Sequence, residues 1–262
     1  MTKSLRVVQM ALVLLLTVPG LAWAQQALIV HDGTVGIEAD ALSNLTTHLT
    51  ANGFTVTTNV GVPGSLAGFQ QVLDIRFNNT TPLSGSDITT YTSYLAGGGS
   101  LFVMGENTGF VTRNNSIVTL VSSVGGGAIT VTNPNNTQTV QPPFTGPTPL
   151  TTVVFLAAAG VPSPQGSGAA VTRDASNIAA SVVFGPGSMS SAPAGSLILV
   201  FDVNFLQTGA DANSHTFTNN LIRYLAAPVP VPAMPVVSLS LLAILIVGAG
   251  LRLLRRRSLA VN

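Results

Sequence analysis

Three of the nine carboxylates in this 262-residue chain stand just past apolar runs: Asp32 after "ALIVH", Glu106 after "SLFVMG" and Asp202 after "SLILVF". His31, Asn107 and Asn204 neighbour them. Carboxylates that converge on one edge of a protein can trade protons with a substrate or hold Ca²⁺ through oxygen ligands. The same residue types also end strands and begin helices, because Asp and Asn side chains accept backbone N–H groups and shape turns. Asp32, Glu106, Asn107 and Asp202 are therefore taken as ligand-binding candidates, with no catalytic residue assigned.

Other chemistries are narrowed by composition and spacing. The chain has no cysteine, so it has no thiol nucleophile and no disulfide. The serines of "GPGSMSSAPAG" (185–195) lie in a loop that lacks the Gly-x-Ser-x-Gly elbow and the helix that follows it. His31, His48 and His215 are far apart in sequence, and none has a ligand-spaced partner; no metal and no cofactor is expected. His215 opens the last helical segment, where a hydrolase would want a base, but a cap or a solvent-facing ring is the simpler reading. The runs "AGGGS" (96–100) and "VGGGA" (124–128) lack the Lys-Ser/Thr of a phosphate loop and read as helix ends.

The elements that must position these residues alternate. "ALIVH" (27–31), "FTVTTNV" (54–60), "QVLDIRFN" (71–78) and "SLFVMG" read as strands. Between them, Ile37, Ala41, Leu45 and Leu49 share one helical face that ends at Gly53. Ser84 or Ser86 caps a helix with Ile88, Tyr91 and Leu95 on one side. "NNSIVTLVSSVGGG" aligns Ile117, Leu120, Val121 and Val124. From 128 to about 195 the pattern becomes short β-like pieces among Pro, Gly, Asn and Thr, read as a β-rich insertion or an added antiparallel edge. "SLILVFDVNFL" and "SHTFTNNLIRYLA" then close the domain. The expected fold is α/β: an open, mostly parallel, flavodoxin-like sheet with helices on both faces, a β-rich insertion, and one C-terminal transmembrane helix. An all-β secreted sandwich is the alternative. Ligands of such open sheets gather outside the carboxyl ends of the strands.

The two ends speak for export. Lys3 and Arg6 precede an apolar run, and "AWA" offers a signal-peptidase site with cleavage after Ala24. At the other end, residues 228–235 are proline-rich, 236–254 are apolar apart from Arg252, and Arg255, Arg256 and Arg257 begin a basic tail (255–262). The sixteen residues Val236 to Leu251 make about 24 Å of helix, and Leu253 and Leu254 lengthen the span if Arg252 snorkels. Basic residues beyond a span hold that end in the cytoplasm. The expected organisation is a signal peptide (1–24), an exported domain (25–227), a Pro-rich linker and sorting motif (228–235), a membrane span (236–254) and a cytoplasmic tail.

Charge agrees. The whole chain is +1, but Gln25 to Ala227 carries four arginines, no lysine and all nine acids, 4 − 9 = −5. That balance opposes nucleic-acid binding, which needs a basic face. Asn-x-Ser/Thr sequons occur at Asn44, Asn78, Asn79, Asn114 and Asn135, as a chain rich in these residues generates by chance.

Two resemblances attach to these residues. "VPVPAMPVVSLSLLAILIVGAGLRLLRRR" resembles the tripartite C-terminal sorting signals of the PEP-CTERM and IPTL-CTERM type of Gram-negative bacteria. It has no Pro-Glu-Pro, and "VPAMP" only approximates Ile-Pro-Thr-Leu. The likeness implies that Pro232, Pro235 and the arginines at 255, 256 and 257 belong to a motif handled by an exosortase-like protease, with signal peptidase acting at the other end. The body, through "ALIVHD", "VLDIRFNN…SDITTYTSYLAGGGSLFVMGEN" and "GSLILVFDVNFLQ…NNLIRYL", is similar to the class I glutamine-amidotransferase-like superfamily. Members with thiol chemistry carry a cysteine just after the fourth strand, where this chain has Gly105-Glu106-Asn107. The reading that follows is a non-enzymatic exported protein, anchored in the inner membrane as a precursor with its body in the periplasm. It would be sorted through the C-terminal signal to the cell surface or extracellular matrix, with a surface polysaccharide as candidate partner. The alternative is an exported hydrolase or carbohydrate-directed enzyme using Glu106 and Asp202. Glu106 is expected to be the group most exposed to the cleft.

Overall fold

Strands whose every residue is apolar or small need cover on both sides, and the chain meets that need with a helix after most of them. The computed structural model describes residues 25–33 and 36–226, all within one unit that ends at Ala226. Ala24, Pro232, Pro235, Arg255, Arg256 and Arg257 lie outside the described residues, as does the expected span 236–254. Among the described residues no helix is long and apolar enough to cross a membrane.

The elements run β1 (Gln25–His31), α1 (Gly36–Ala51), β2 (Phe54–Val60), β3 (Gln71–Asp74), α2 (Gly85–Ala96), β4 (Ser100–Met104) and α3 (Val111–Ser123). Seven short strands follow: β5 (Thr137–Val140), β6 (Thr152–Val154), β7 (Val161–Pro162), β8 (Ala169–Ala170), β9 (Thr172–Arg173), β10 (Ile178–Ala179) and β11 (Ser181–Phe184). β12 (Ser196–Val200), a 3₁₀ turn (Asn204–Leu206) and α4 (Ala212–Ala226) complete the unit. The main sheet has the order β2-β1-β3-β4-β12-β11-β8. Its first five strands are parallel, and β11 and β8 add on antiparallel.

Alternation along each parallel strand divides the core. Ala27, Ile29, Phe102, Met104, Ile198 and Val200 face one side with Leu45 and Leu49 of α1 and Phe217 and Leu221 of α4. Leu28, Val30, Leu101, Val103, Leu197 and Leu199 face the other with Tyr91 and Leu95 of α2 and Leu120 and Val121 of α3. The α/β expectation holds, and the all-β alternative does not.

Several boundaries differ from the sequence reading. β3 stops at Asp74: the Ile75 N–H gives one last bond to the Val30 carbonyl at 2.9 Å, and Asp74 and Arg76 then close into a buried ion pair. α3 begins at Val111, three residues early, because the Asn79 side-chain Oδ1 accepts the Thr112 and Arg113 N–H groups from outside the helix. Ile37 is 42 % exposed and not on the buried face of α1. Gly53 ends that helix as anticipated, with φ +85. Ser84, not Ser86, caps α2, in a reciprocal box with Asp87. The segment 128–195 is both things anticipated for it. It forms a three-stranded sheet (β6-β5-β9) and a two-stranded one (β10-β7), and also supplies the antiparallel edge β11-β8.

Candidate functional site

The parallel strands end together, and the residues that follow them form the carboxyl edge. After β4 the backbone gives one more ladder bond, Gly105 N–H to the Val200 carbonyl at 2.8 Å. Glu106 comes next, 3 % exposed. Its Oε1 accepts the Asn107 N–H at 2.9 Å and its Oε2 accepts the Val203 N–H at 2.9 Å. Asn114, reaching up from α3, binds the same turn: its Oδ1 accepts the Glu106 N–H, and its Nδ2 donates to the carbonyls of Glu106 and Asn107. Asn107 Oδ1 accepts the Gly109 N–H at 2.9 Å. The turn is relaxed, since Asn177 is the one non-glycine with positive φ among the described residues. A nucleophile elbow, by contrast, holds its serine on a sharp, strained turn.

Asp202 lies past β12 and is fully buried. Its Oδ1 accepts the Asn204 N–H at 2.8 Å, starting the 3₁₀ turn, and its Oδ2 accepts the Ala157 N–H of the insertion at 3.4 Å. Burial raises both acids. Glu106 is pushed up to about 7, with Asp202 adding to the effect and the N–H groups of Val203 and Asn107 opposing it. Asp202 is raised as well, against its backbone hydrogen bonds. The two carboxylates are thus neighbours, as expected of adjacent strand ends.

A second group occupies the ends of β1 and β3. Asp32 Oδ2 accepts the Thr81 hydroxyl at 2.7 Å, and its N–H donates to Glu38 Oε1 at 2.7 Å. Glu38, in the first turn of α1, is 6 % exposed. Burial, then the adjoining Asp32 carboxylate, pushes Glu38 up to about 8. Burial works in the same direction on Asp32, but the hydrogen bonds of Glu38 and Thr81 and the charges of Arg76 and Arg113 hold it below the usual carboxylate range. Behind it, fully buried Asp74 receives Arg76 at 2.6 Å, Arg113 at 3.2 Å and the Tyr91 hydroxyl at 2.9 Å. Arg76 also reaches Asp87 of the α2 cap at 3.2 Å. Asp74 stays charged because the two guanidiniums outweigh its burial.

Several sequence expectations are corrected here. Asp32, Glu106 and Asp202 share the carboxyl edge, but they do not converge. β3 and its Asp74–Arg76–Arg113 network stand between β1 and β4, and strands two apart are about 9.5 Å from each other. Among the described residues no group of three or more His, Asp or Glu could hold a metal ion, so the three carboxylates are no Ca²⁺ cage. Glu106 is not the group most exposed to the edge; its carboxylate is turned inward to two N–H groups. The histidines are not all far apart, since the fold brings His48 Nε2 to 3.1 Å from His215 Nδ1. His31 Nδ1 meets the Gly33 carbonyl oxygen at 2.9 Å, a local turn contact. Among the sequons, Asn44 and Asn114 are buried.

Sequence reasoning missed Glu38, Asp74, Arg76 and Arg113. An acid in the first turn of a helix that follows a strand-end Asp was the available signal for Glu38. For Asp74 and Arg76 it was a charged pair inside an otherwise apolar strand. Arg113 offered none.

No family model and no curated protein matches the chain. Solved structures do match. The mmIFT52 N-terminal domain superposes with a TM-score of 0.58 at 14 % identity, covering 77 % of this chain and 97 % of that one. A ThuA-like protein from Parabacteroides merdae superposes with a TM-score of 0.52 at 8 % identity, covering 81 % of this chain and 94 % of that one. The likeness is one of fold. The body is a mixed α/β layer structure with a mostly parallel sheet and four α-helices among the described residues, and the ThuA-like neighbour fits a glutamine-amidotransferase-like fold.

Proposed function

We propose that this chain is a non-enzymatic exported protein whose amidotransferase-like body carries a structural buckle where thiol enzymes of that superfamily place their nucleophile. The observation that carries the reading is the inward Glu106 carboxylate, with both oxygens engaged by backbone N–H groups in an unstrained turn. A nucleophile or general base must reach substrate; this group ties two strand ends together. Among the described residues, the buried side-chain atoms without a hydrogen bond are Gln71 Oε1, Thr92 Oγ1 and Arg173 Nε, none of them at the carboxyl edge. The absent cysteine and the low charge of residues 25–227 point the same way.

The delivery part of the proposal rests on the ends of the sequence. Signal peptidase would cut after Ala24, and the segment 228–262 would hold the precursor in the inner membrane for an exosortase-like protease, with release to the cell surface or matrix. A surface polysaccharide is the candidate partner. Fractionation of cells expressing the full chain, and a chain ending at Ala227, tests this: the full chain enters the membrane and then the surface fraction, while the truncated one stays in the periplasm. Identical fractionation of both would overturn the sorting role.

One observation favours a second reading, an exported hydrolase or carbohydrate-directed enzyme. Glu38 keeps its proton near neutrality beside an ionised Asp32, and two carboxyl groups whose environments separate their pKa values can serve as acid and base. Both follow β1, whose neighbour β3 lies across the point where the strand order of the sheet reverses. An amide and glycoside hydrolysis screen of the full chain, repeated with Glu38→Gln and Glu106→Gln, separates the readings. Turnover lost in Glu38→Gln favours this one, and turnover lost in Glu106→Gln rejects the buckle.

A further inference from the structure

The first and last helices meet through two histidines that the carboxyl edge does not use. His48 lies in the last turn of α1 and His215 near the start of α4. His48 Nε2 and His215 Nδ1 are 3.1 Å apart, with ring centroids separated by 5.3 Å. Both side chains are half-buried, so solvent reaches the pair.

A chain of hydrogen bonds behind His48 decides which of its nitrogens carries the hydrogen. The guanidinium of Arg223 can only donate, and its Nε donates to Asn52 Oδ1 at 3.0 Å. Asn52 Nδ2 is therefore the end that donates to the His48 carbonyl at 2.8 Å and to Asn219 Oδ1 at 3.0 Å. Asn219 Oδ1 also faces His48 Nδ1 at 3.0 Å, and facing an oxygen that nitrogen must be the N–H. In neutral His48 the other nitrogen, Nε2, is then a bare lone pair aimed at His215.

We propose that His48 Nε2 and His215 Nδ1 form a two-histidine site for a divalent transition-metal ion of the Zn²⁺, Cu²⁺ or Ni²⁺ class, bridging α1 and α4. Two nitrogens sharing a tetrahedral ion at about 2.0–2.1 Å stand roughly 3.3–3.4 Å apart, close to the separation already present. Imidazole suits this class of ion, whereas Ca²⁺ and Mg²⁺ require oxygen ligands. The Asn219 oxygen on His48 Nδ1 is the kind of orienting partner that ligating histidines have. Water completes the coordination on the open side. The alternative occupant of the gap is a single shared hydrogen between the rings. No residue of the carboxyl edge takes part, so the proposal stands apart from the reading of that edge.

The test uses the full chain, without a polyhistidine tag, stripped with EDTA and titrated with Zn²⁺ in a calorimeter. One ion per chain with micromolar affinity is expected. His48→Gln and His215→Gln each abolish that binding, and Asn219→Ala weakens it about 10–100-fold. With free Zn²⁺ at about 100 times its dissociation constant, Tm rises by roughly 5–10 °C. Circular dichroism shows whether each variant folds. Where one does not, Cu²⁺ bound to the wild-type chain is read by electron paramagnetic resonance, and two equatorial nitrogens are expected. Absence of saturable binding below millimolar Zn²⁺, binding that survives His215→Gln, or a Cu²⁺ spectrum without nitrogen ligands overturns the site in favour of the shared hydrogen.

Discussion

The Oε2 of Glu106 accepts the Val203 N–H at 2.9 Å across 97 residues of sequence. β4 and β12 pair in parallel up to Met104 and Val200, and Gly105 adds a backbone bond to the Val200 carbonyl. Beyond that point the two chains leave the ladder, and the Glu106 side chain bridges the gap their backbones open. The acid that most invited a catalytic reading therefore acts as the final rung of the sheet, and its burial gives it a titration that can be measured.

Folded Glu106 titrates at about 7, above the ordinary glutamate value of about 4.3. Between those limits the folded chain holds a proton that the unfolded chain has lost, so stability falls as pH rises through the window and levels above it. Urea unfolding at pH 5 and 7.5 should show wild type losing roughly 2 kcal/mol more than Glu106→Gln over that interval. Parallel pH profiles would mean the carboxyl is not buried as described.

Asn114 satisfies one N–H and two carbonyls of the turn after β4. Asn114→Ala leaves them unpaired in the interior, at a cost of about 2–4 kcal/mol. Equilibrium denaturation measures it, and hydrogen exchange should quicken first at Glu106 and Asn107.

Arg113 is fully buried and donates to Asp74, to the Met104 carbonyl and to the Thr81 carbonyl. Arg113→Met leaves Asp74 with one guanidinium, that of Arg76, beside the Tyr91 hydroxyl, and a loss of about 3–5 kcal/mol is expected for breaking a buried pair. Asp74→Asn together with Arg113→Met should lose less than the sum of the single changes, because the groups act as one network. Strict additivity in the double-mutant cycle would contradict the shared network.

Gly105 leaves no room for a side chain. A Cβ there would lie 2.4 Å from Phe201 Cδ1 and 2.9 Å from Asn114 Oδ1. Gly105→Ala should cost about 1–3 kcal/mol through overpacking, whereas Gly64→Ala, with nothing within 4 Å of the added carbon, should be near neutral. Thermal unfolding of the pair checks the contrast.

For the ends of the chain, mass spectrometry should find a mature N-terminus at Gln25. Leu245→Arg should impair membrane insertion by roughly 2.5–3.5 kcal/mol. A variant that fractionates like wild type removes the span from the proposal.

Local patterns were enough for the layer architecture. Runs such as "SLFVM" and "SLILV" are buried along their whole length because both faces of a parallel sheet are covered. Helix faces such as Leu45 with Leu49, or Leu120 with Val121, could be read from a period of 3.6 residues. Placing Asp32, Glu106 and Asp202 on one edge followed from strand direction alone. What each acid does there did not, because a side chain's partner depends on strand order and helix crossing, which periodicity does not encode. Strand order put β3 and its Asp74–Arg76–Arg113 network between Asp32 and Glu106, and the close approach of α1 and α4 joined His48 to His215 across 167 residues. Hydrophobic burial is written in short-range periodicity; polar pairing is a matter of which distant segments the packed sheet brings within about 3 Å, and only the tertiary structure decides that.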